Sequence, residues 1–481
     1  MGALRTLYPS RWPGLVVLAA ALVVVPTRLT AFTEPKTLVL AAAAVVSLAL
    51  ALAAKRASAA LVPALLFGVA TVTSALAGDG VLPGALALQL ACAGLLIAWT
   101  ITGVDLPRVV PLAVAAGTLV AGVAVAQALG ADPFVAFVPD GRGTRLEVYG
   151  TLGNPDFVAA FVAPTLALSL ALRPASARWR TLLALAVALQ GLALVASRSF
   201  GTVLALLAAL AAVLLHSRRG ASTGGAHADA RNATRAPFSL SLSKAPWIGR
   251  ALRLRAARAE ARNPTRAPFS LSLSKAPWIG RALRLRSGRA EPARAATNFS
   301  LRSARTEARP WAALVLAALA LVGALTLAPR DAARALEGRL YLWQVALPHV
   351  AEAPLLGHGP GAVQALWSQW EADAWATGRL DAAARRFAAD QDHLHGDALE
   401  RLLEGGLLGL LALVALVAAA VRRALQAPRP LAAGVLAALA SLLARSAVDF
   451  PLARPAELGL FALLCAAALS LSPAAREEPR T

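Results

Sequence analysis

The apolar residues of this chain come in long, uninterrupted blocks, and that one feature removes most folds from consideration. A run of about 18 or more apolar residues is long enough to cross the hydrocarbon core of a bilayer as a helix. In lipid only helices and closed barrels satisfy their own backbone hydrogen bonds. Barrel strands are short and alternate, and these blocks do neither. Composition agrees, with 58% of the 481 residues hydrophobic and a mean hydropathy of +0.62. The expectation is an all-α, polytopic membrane protein of about 12 transmembrane helices. The spans read from the blocks are 13–30, 37–54, 59–77, 82–102, 107–129, 152–172, 179–196, 199–216, 311–328, 403–422, 430–447 and 456–473. The first has no small-residue cleavage site after it, so it is read as a helix rather than a signal peptide.

Lys and Arg set the orientation, because they collect on the cytoplasmic side. The connections holding Lys55 and Arg56, Arg173, Arg178 and Arg180, and Arg422, Arg423 and Arg429 fall on one side of the membrane. The segment 217–310 falls there too, with 20 Lys and Arg against 4 Asp and Glu, a net +16 of the chain's +21. This predicts both termini in the cytoplasm. One cytoplasmic loop explains the basic total, so no nucleic-acid partner is inferred. Cys92 and Cys465 lie inside spans and read as small buried residues rather than a disulfide framework.

The organisation that follows is 1–130 with helices one to five, 131–216 with helices six to eight, the basic insert 217–310, helix nine at 311–328, a large partly helical external loop at 329–402, and 403–481 with helices ten to twelve and a cytoplasmic tail. The insert repeats itself: residues 231–255 return at 262–286 with a single difference, Ala233 against Pro264. Two copies are too few for a solenoid. The insert reads either as a duplicated disordered segment or, through Trp247, Ile248, Trp278 and Ile279 beside arginines, as one that lies on anionic lipid.

Chemistry is expected in the external loop. It holds four of the ten tryptophans, Trp343, Trp367, Trp370 and Trp375, and four of the six histidines, His349, His358, His393 and His395. A loop this long and this rich in titratable groups is seldom a tether. The external side should be poor in arginine, yet Arg198, Arg339, Arg385, Arg386 and Arg401 fall there. Charges at membrane depth are costly and tend to be functional, and a guanidinium forks onto phosphate; the competing reading is snorkelling to the interface. Asp390-Gln-Asp392-His393-Leu-His395-Gly-Asp397 closes the loop. Asp397 and Glu400 have the spacing of a capping box, which predicts a helix from about 397 with His395 at its mouth. The positive helix end favours a neutral imidazole there, suited to a general base. A solvated acidic loop and a divalent-metal site are the competing readings of the same run. The Gly- and Pro-dense run 354–361 predicts a fixed turn whose apolar lead dips back against the bundle.

These segments together resemble the O-antigen ligase and polymerase superfamily, bacterial membrane transferases that move glycans from an undecaprenyl-diphosphate carrier. Gly150-Thr-Leu-Gly-Asn154-Pro155-Asp-Phe is like the family's G-T-x-G-N-P-N-F, and Ser197-Arg198-Ser199 like its S-R-S turn. Arg339-Leu-Tyr-Leu-Trp343 with Pro354-Leu-Leu-Gly-His-Gly-Pro-Gly361 is similar to R-x-x-x-W…P-L-L-G-V-G-P-G. His395-Gly-Asp-Ala-Leu399…Glu404-Gly-Gly406 resembles H-N-x-x-L…E-x-G. The similarity runs from about 148 to 415, interrupted by the insert. Two positions depart: Gly396 stands where the family has Asn, and His358 where it has a small apolar residue. If that Asn orients the base, Asp397 is the substitute the sequence offers.

The resemblance implies a metal-independent transferase without cofactor, facing the periplasm from the bacterial inner membrane. His395 would activate the acceptor hydroxyl, Arg198 and Arg339 would hold the diphosphate, and Asn154, Gly359, Gly361, Asp397 and Glu404 would support the site. Trp343, Trp367 and Trp370 would offer faces to sugar rings, or else anchor and pack the loop. The expected partners are an undecaprenyl-diphosphate-linked glycan, membrane lipids, and an acceptor. Lipid A core as acceptor makes the protein a ligase, a growing glycan a polymerase, and a protein hydroxyl an oligosaccharyltransferase; ligation is the favoured expectation. A transporter on the same bundle and an inactive scaffold are the readings outside glycan transfer.

Overall fold

The computed structural model describes residues 2–25, 31–54, 59–134, 148–232, 310–326, 329–427 and 430–472. The duplicated segments of the basic insert lie almost wholly outside them. Among the described residues the secondary structure is helical, with no strand. The helices are α1 (Gly2–Leu22), α2 (Glu34–Ala54), α3 (Val62–Ala77), α4 (Pro83–Thr102), α5 (Leu106–Ala128), α6 (Pro155–Ala171), α7 (Ala177–Ser197), α8 (Phe200–Asn232), α9 (Pro310–Thr326), α10 (Pro329–Ala346), α11 (Ala362–Ala376), α12 (Asp397–Gln426), α13 (Pro430–Ser446) and α14 (Pro455–Leu469). Proline in the first turn starts many of them, where its missing N–H costs nothing. Six segments are long and apolar enough to cross a membrane, on α2, α4, α5, α7, α8 and α12. Shorter apolar stretches lie on α1, α3, α6, α9, α13 and α14, where the remaining expected spans fall. The protein is therefore a helical membrane protein.

The bundle packs on small residues, which let helices approach closely in lipid. α14 is the hub: every one of its residues is buried, and it touches α1, α2, α4, α6, α12 and α13. α13 lies along α6; a Cβ placed on Gly434 would sit 2.4 Å from that of Ala171. These two helices run antiparallel, so the end of α13 meets the start of α6.

Residues 329–396 build a small subdomain with its own core of Tyr341, Leu342, Val345, Trp367, Trp370, Leu380 and Leu394. It is tied to the bundle by backbone pairing. α12 breaks at Gly406, with φ 63° and ψ −167°, and the 354–361 run fills the break. Leu407 and Leu408 N–H donate to the carbonyls of Pro354 (2.8 Å) and Leu355 (3.2 Å), while His358 and Gly359 N–H donate to Leu403 (3.0 Å) and Glu404 (2.9 Å). Gly80 and Leu82, between α3 and α4, donate to His358 and Pro360 at 2.8 Å. The expected dip of this run against the bundle is thus how a broken helix regains its backbone partners away from water.

Candidate functional site

Four helices begin around one cluster of charged side chains. Asn154 caps α6, accepting from Asp156 N–H at 2.8 Å. Asp156, in the first turn of α6, lies 3.2 Å from Arg445 Nη2 at the end of α13. The same nitrogen reaches Asp449 Oδ2 at 2.7 Å. Asp449 Oδ1 accepts from Phe450 N–H at 3.0 Å and lies 3.6 Å from His395 Nδ1, an ion-pair distance rather than a hydrogen bond. His395 heads α12 from the left-handed region, with φ 51°, and its side chain keeps 36% of its surface exposed. The ring of Phe450 lies perpendicular to that of His395 at 4.7 Å and stacks on His393 at 4.3 Å. Arg454 caps α14 between the rings of Phe157 (4.2 Å) and Phe450 (4.7 Å).

The two arginines singled out from the sequence border this cluster. Arg339 on α10 donates from Nε to Val448 O at 2.7 Å. Arg198, exposed, is the left-handed C-cap of α7 with φ 47°. Its turn leads into α8, whose Gly201 packs directly against the Arg445 guanidinium. Arg339 itself and the turn that follows Arg198 therefore both meet the Arg445–Val448 segment.

The electrostatics are those of buried arginines shared among carboxylates, with Asp156 and Asp449 both on Arg445. Burial lifts the Asp449 carboxyl, but the Arg445 guanidinium and the His395 ring outweigh burial and hold it well below the usual carboxylate range. Burial lowers Arg454, opposed by Glu457, Asp392, Asp449 and Glu400, and a guanidinium keeps its charge regardless. Among the described residues, Arg445 Nε and Nη1, Arg454 Nε, Ser199 Oγ, Thr202 Oγ1 and His395 Nδ1 are buried without a hydrogen-bond partner. Buried donors without acceptors are rare in proteins and cluster at functional sites. Helix N-termini add partial positive charge at the same place.

Several sequence expectations are corrected by this geometry. α12 does begin at Asp397, but its N-cap is Gly396 and no capping box forms. Asp397 turns inward and accepts from Leu452 N–H at 3.1 and 3.2 Å. Glu400 accepts from Leu394 N–H at 3.0 Å and meets His393 at 2.8 Å. The carboxylate beside His395 is thus Asp449, not Asp397. Trp367 and Trp370 are 1% and 5% exposed: Trp367 donates to Ala389 O at 3.0 Å and Trp370 stacks on His349 at 4.9 Å. They are core residues without an open face for a sugar. Trp343, half-buried, donates to Leu394 O at 2.9 Å and braces the His395 loop. Gly361 N–H and Gln89 donate to the buried Glu404 carboxylate at 2.7 and 3.2 Å, and Gly359 N–H donates to the Glu404 carbonyl at 2.9 Å. Gly359, Gly361 and Glu404 thus clamp the 354–361 run rather than line the charged cluster. Among the described residues no three His, Cys, Asp or Glu are placed to share a metal ion.

The sequence reading missed Asp156, Arg445, Asp449, Phe450 and Arg454. Arg445 did carry a signal, an arginine inside an otherwise apolar span, with Asp449 one helical turn beyond it.

Comparison with known proteins gives the matching frame. The family model of O-antigen ligase matches residues 295–414, which includes Arg339, the 354–361 run and His395. No curated protein matches the chain. The chain is thus similar to O-antigen ligases over residues 295–414, which supports a place in the O-antigen ligase superfamily.

Proposed function

We propose that this membrane glycan transferase takes its glycan from undecaprenyl diphosphate and passes it to an acceptor hydroxyl on the periplasmic face, with lipid A core as the acceptor. The observation that carries this reading is the meeting of His395 and Asp449 with Arg339, Arg445 and Arg454 where four helices begin, with the turn of Arg198 leading into one of them. Arginine donors without protein acceptors suit the phosphate oxygens of the donor. As the acceptor oxygen attacks the anomeric carbon, the bond from that carbon to the phosphate oxygen breaks and negative charge grows on the diphosphate. Fixed cationic donors stabilise that charge more than they stabilise the ground state. The acceptor proton passes to His395 Nε2, and Asp449, facing Nδ1, orients the ring and balances the imidazolium.

The sugar phenotype of a deletion strain tests the acceptor. Ligation predicts lipid A core without long glycan and polymer accumulating on the undecaprenyl carrier. Core capped by single repeat units would instead make the protein a polymerase, and unchanged lipopolysaccharide would contradict both.

A further inference from the structure

We propose that Asp156 is a positioning residue for His395, acting through Arg445 on Asp449. The inference rests on the glycan-transfer reading above and adds a residue to it. The loop braced by Trp343 holds the backbone of His395 rather than its ring. Its backbone is in the left-handed region, and its neighbour Gly396 has no side chain to hold the ring. The ring lies against Asp449 Oδ1 at 3.6 Å and the ring of Phe450 at 4.7 Å. The first turn of α6 controls both. Asp156 shares the Nη2 group of Arg445 with Asp449, and Phe157 packs edge-on against Phe450 at 5.7 Å.

The sharing decides what Asp449 can do. Arg445 is 1% exposed, so its charge is compensated almost wholly by neighbouring carboxylates. With Asp156 ionised, part of that charge is balanced from α6, and Asp449 keeps Oδ1 for Phe450 N–H and His395. Without the Asp156 charge, the full guanidinium charge falls on Asp449 and draws it from the ring. The imidazolium that forms on proton transfer is then stabilised less, and the ring is free to turn. Other charged groups around this line are Arg339 on α10, Arg454 at the head of α14, and Asp392, His393 and Glu400 beside the start of α12.

The test measures transfer by the full-length protein in proteoliposomes, with an undecaprenyl-diphosphate-linked glycan as donor, across pH 5 to 9. Asp156→Asn is expected to lower kcat by about 10- to 100-fold, the range for losing an orienting outer partner. Donor KM is expected to hold, and the acid limb of the kcat profile to move to lower pH; Asp156→Glu is expected to restore part of the rate. A purely structural Asp156 would lower the amount of folded protein and leave kcat and the pH limb in place, which overturns the proposal. A rise in donor KM with kcat intact overturns it as well, because Asp156 would then serve the diphosphate. If Asp156→Asn does not fold, Asp156→Glu carries the test: a lower kcat at constant donor KM with the acid limb moved to lower pH supports the proposal, and an unchanged kcat and limb overturn it. Wild-type-like transfer by His395→Ala would overturn the transfer reading and this proposal together. Transfer lost in His395→Ala but full in Asp156→Asn overturns this proposal alone.

Discussion

A histidine in the left-handed region stays there only if its surroundings hold it, and around His395 these are Asp449, Phe450 and the loop braced by Trp343. His393, two residues earlier, is committed elsewhere, to Glu400 at 2.8 Å and to the face of Phe450. His395→Ala is therefore expected to slow transfer by about 100-fold or more, the usual scale for a lost general base, and His393→Ala far less; initial rates in membranes check both. Asp449 makes a second prediction, on stability. Its folded carboxyl is held below the usual range by Arg445 and His395 despite burial. A lowered folded value stabilises the protein above the unfolded carboxyl range, near pH 3.9, and that stabilisation fades as pH falls through the folded value. Asp449→Asn leaves a buried guanidinium short of a carboxylate, at a cost of about 3–5 kcal/mol. Thermal unfolding in detergent should show the gap from wild type across pH 5 to 8 and a shrinking gap only in strong acid. An equal Tm at neutral pH would contradict this. His395 was legible because it stands nine residues before Glu404 at a predictable helix mouth. Asp449 was not, because it arrives 54 residues later through a contact that no local pattern encodes.

At the scale of elements, six expected spans coincide with helices long and apolar enough to cross a membrane, because lipid demands unbroken apolar helices; most boundaries fall within a few residues of those read from hydropathy, but α1 ends at Leu22, α8 runs on to Asn232 and α12 already starts at Asp397. The break inside α12 was hidden by the same apolar uniformity, since Gly405-Gly406 in a hydrophobic run does not say which glycine leaves the helix. The tryptophans failed for a related reason. An indole serves equally as a core filler or as a sugar platform, and only the packing of α10 on α11 shows that Trp367 and Trp370 are interior. The broken helix gives its own prediction. Gly357 has φ 71°, and a Cβ there would lie 2.3 Å from the Glu404 carbonyl oxygen. Gly357→Ala meets both a left-handed backbone and a carbonyl that is hydrogen-bonded to Gly359 and Ser74. It should destabilise the protein by about 1–3 kcal/mol or more, seen as a lower Tm in detergent. An unchanged Tm would mean that the 354–361 run does not seat in α12.

At the scale of the whole molecule, topology does what no single element does. Antiparallel packing of α13 along α6 and the central place of α14 bring the starts of α6, α8, α12 and α14 to the end of α13. Positive helix ends, Arg339, Arg445, Arg454 and one partly exposed histidine then meet around Asp449, an arrangement that suits the proposed transfer from an anionic lipid carrier. The most direct measurement uses purified protein in proteoliposomes, with an undecaprenyl-diphosphate-linked glycan and lipid A core supplied together. The expected result is one glycan joined to lipid A core for each undecaprenyl diphosphate released, lost in His395→Ala while donor still binds. Donor that binds but is never released as undecaprenyl diphosphate, in the presence of acceptor and folded wild-type protein, would contradict the account.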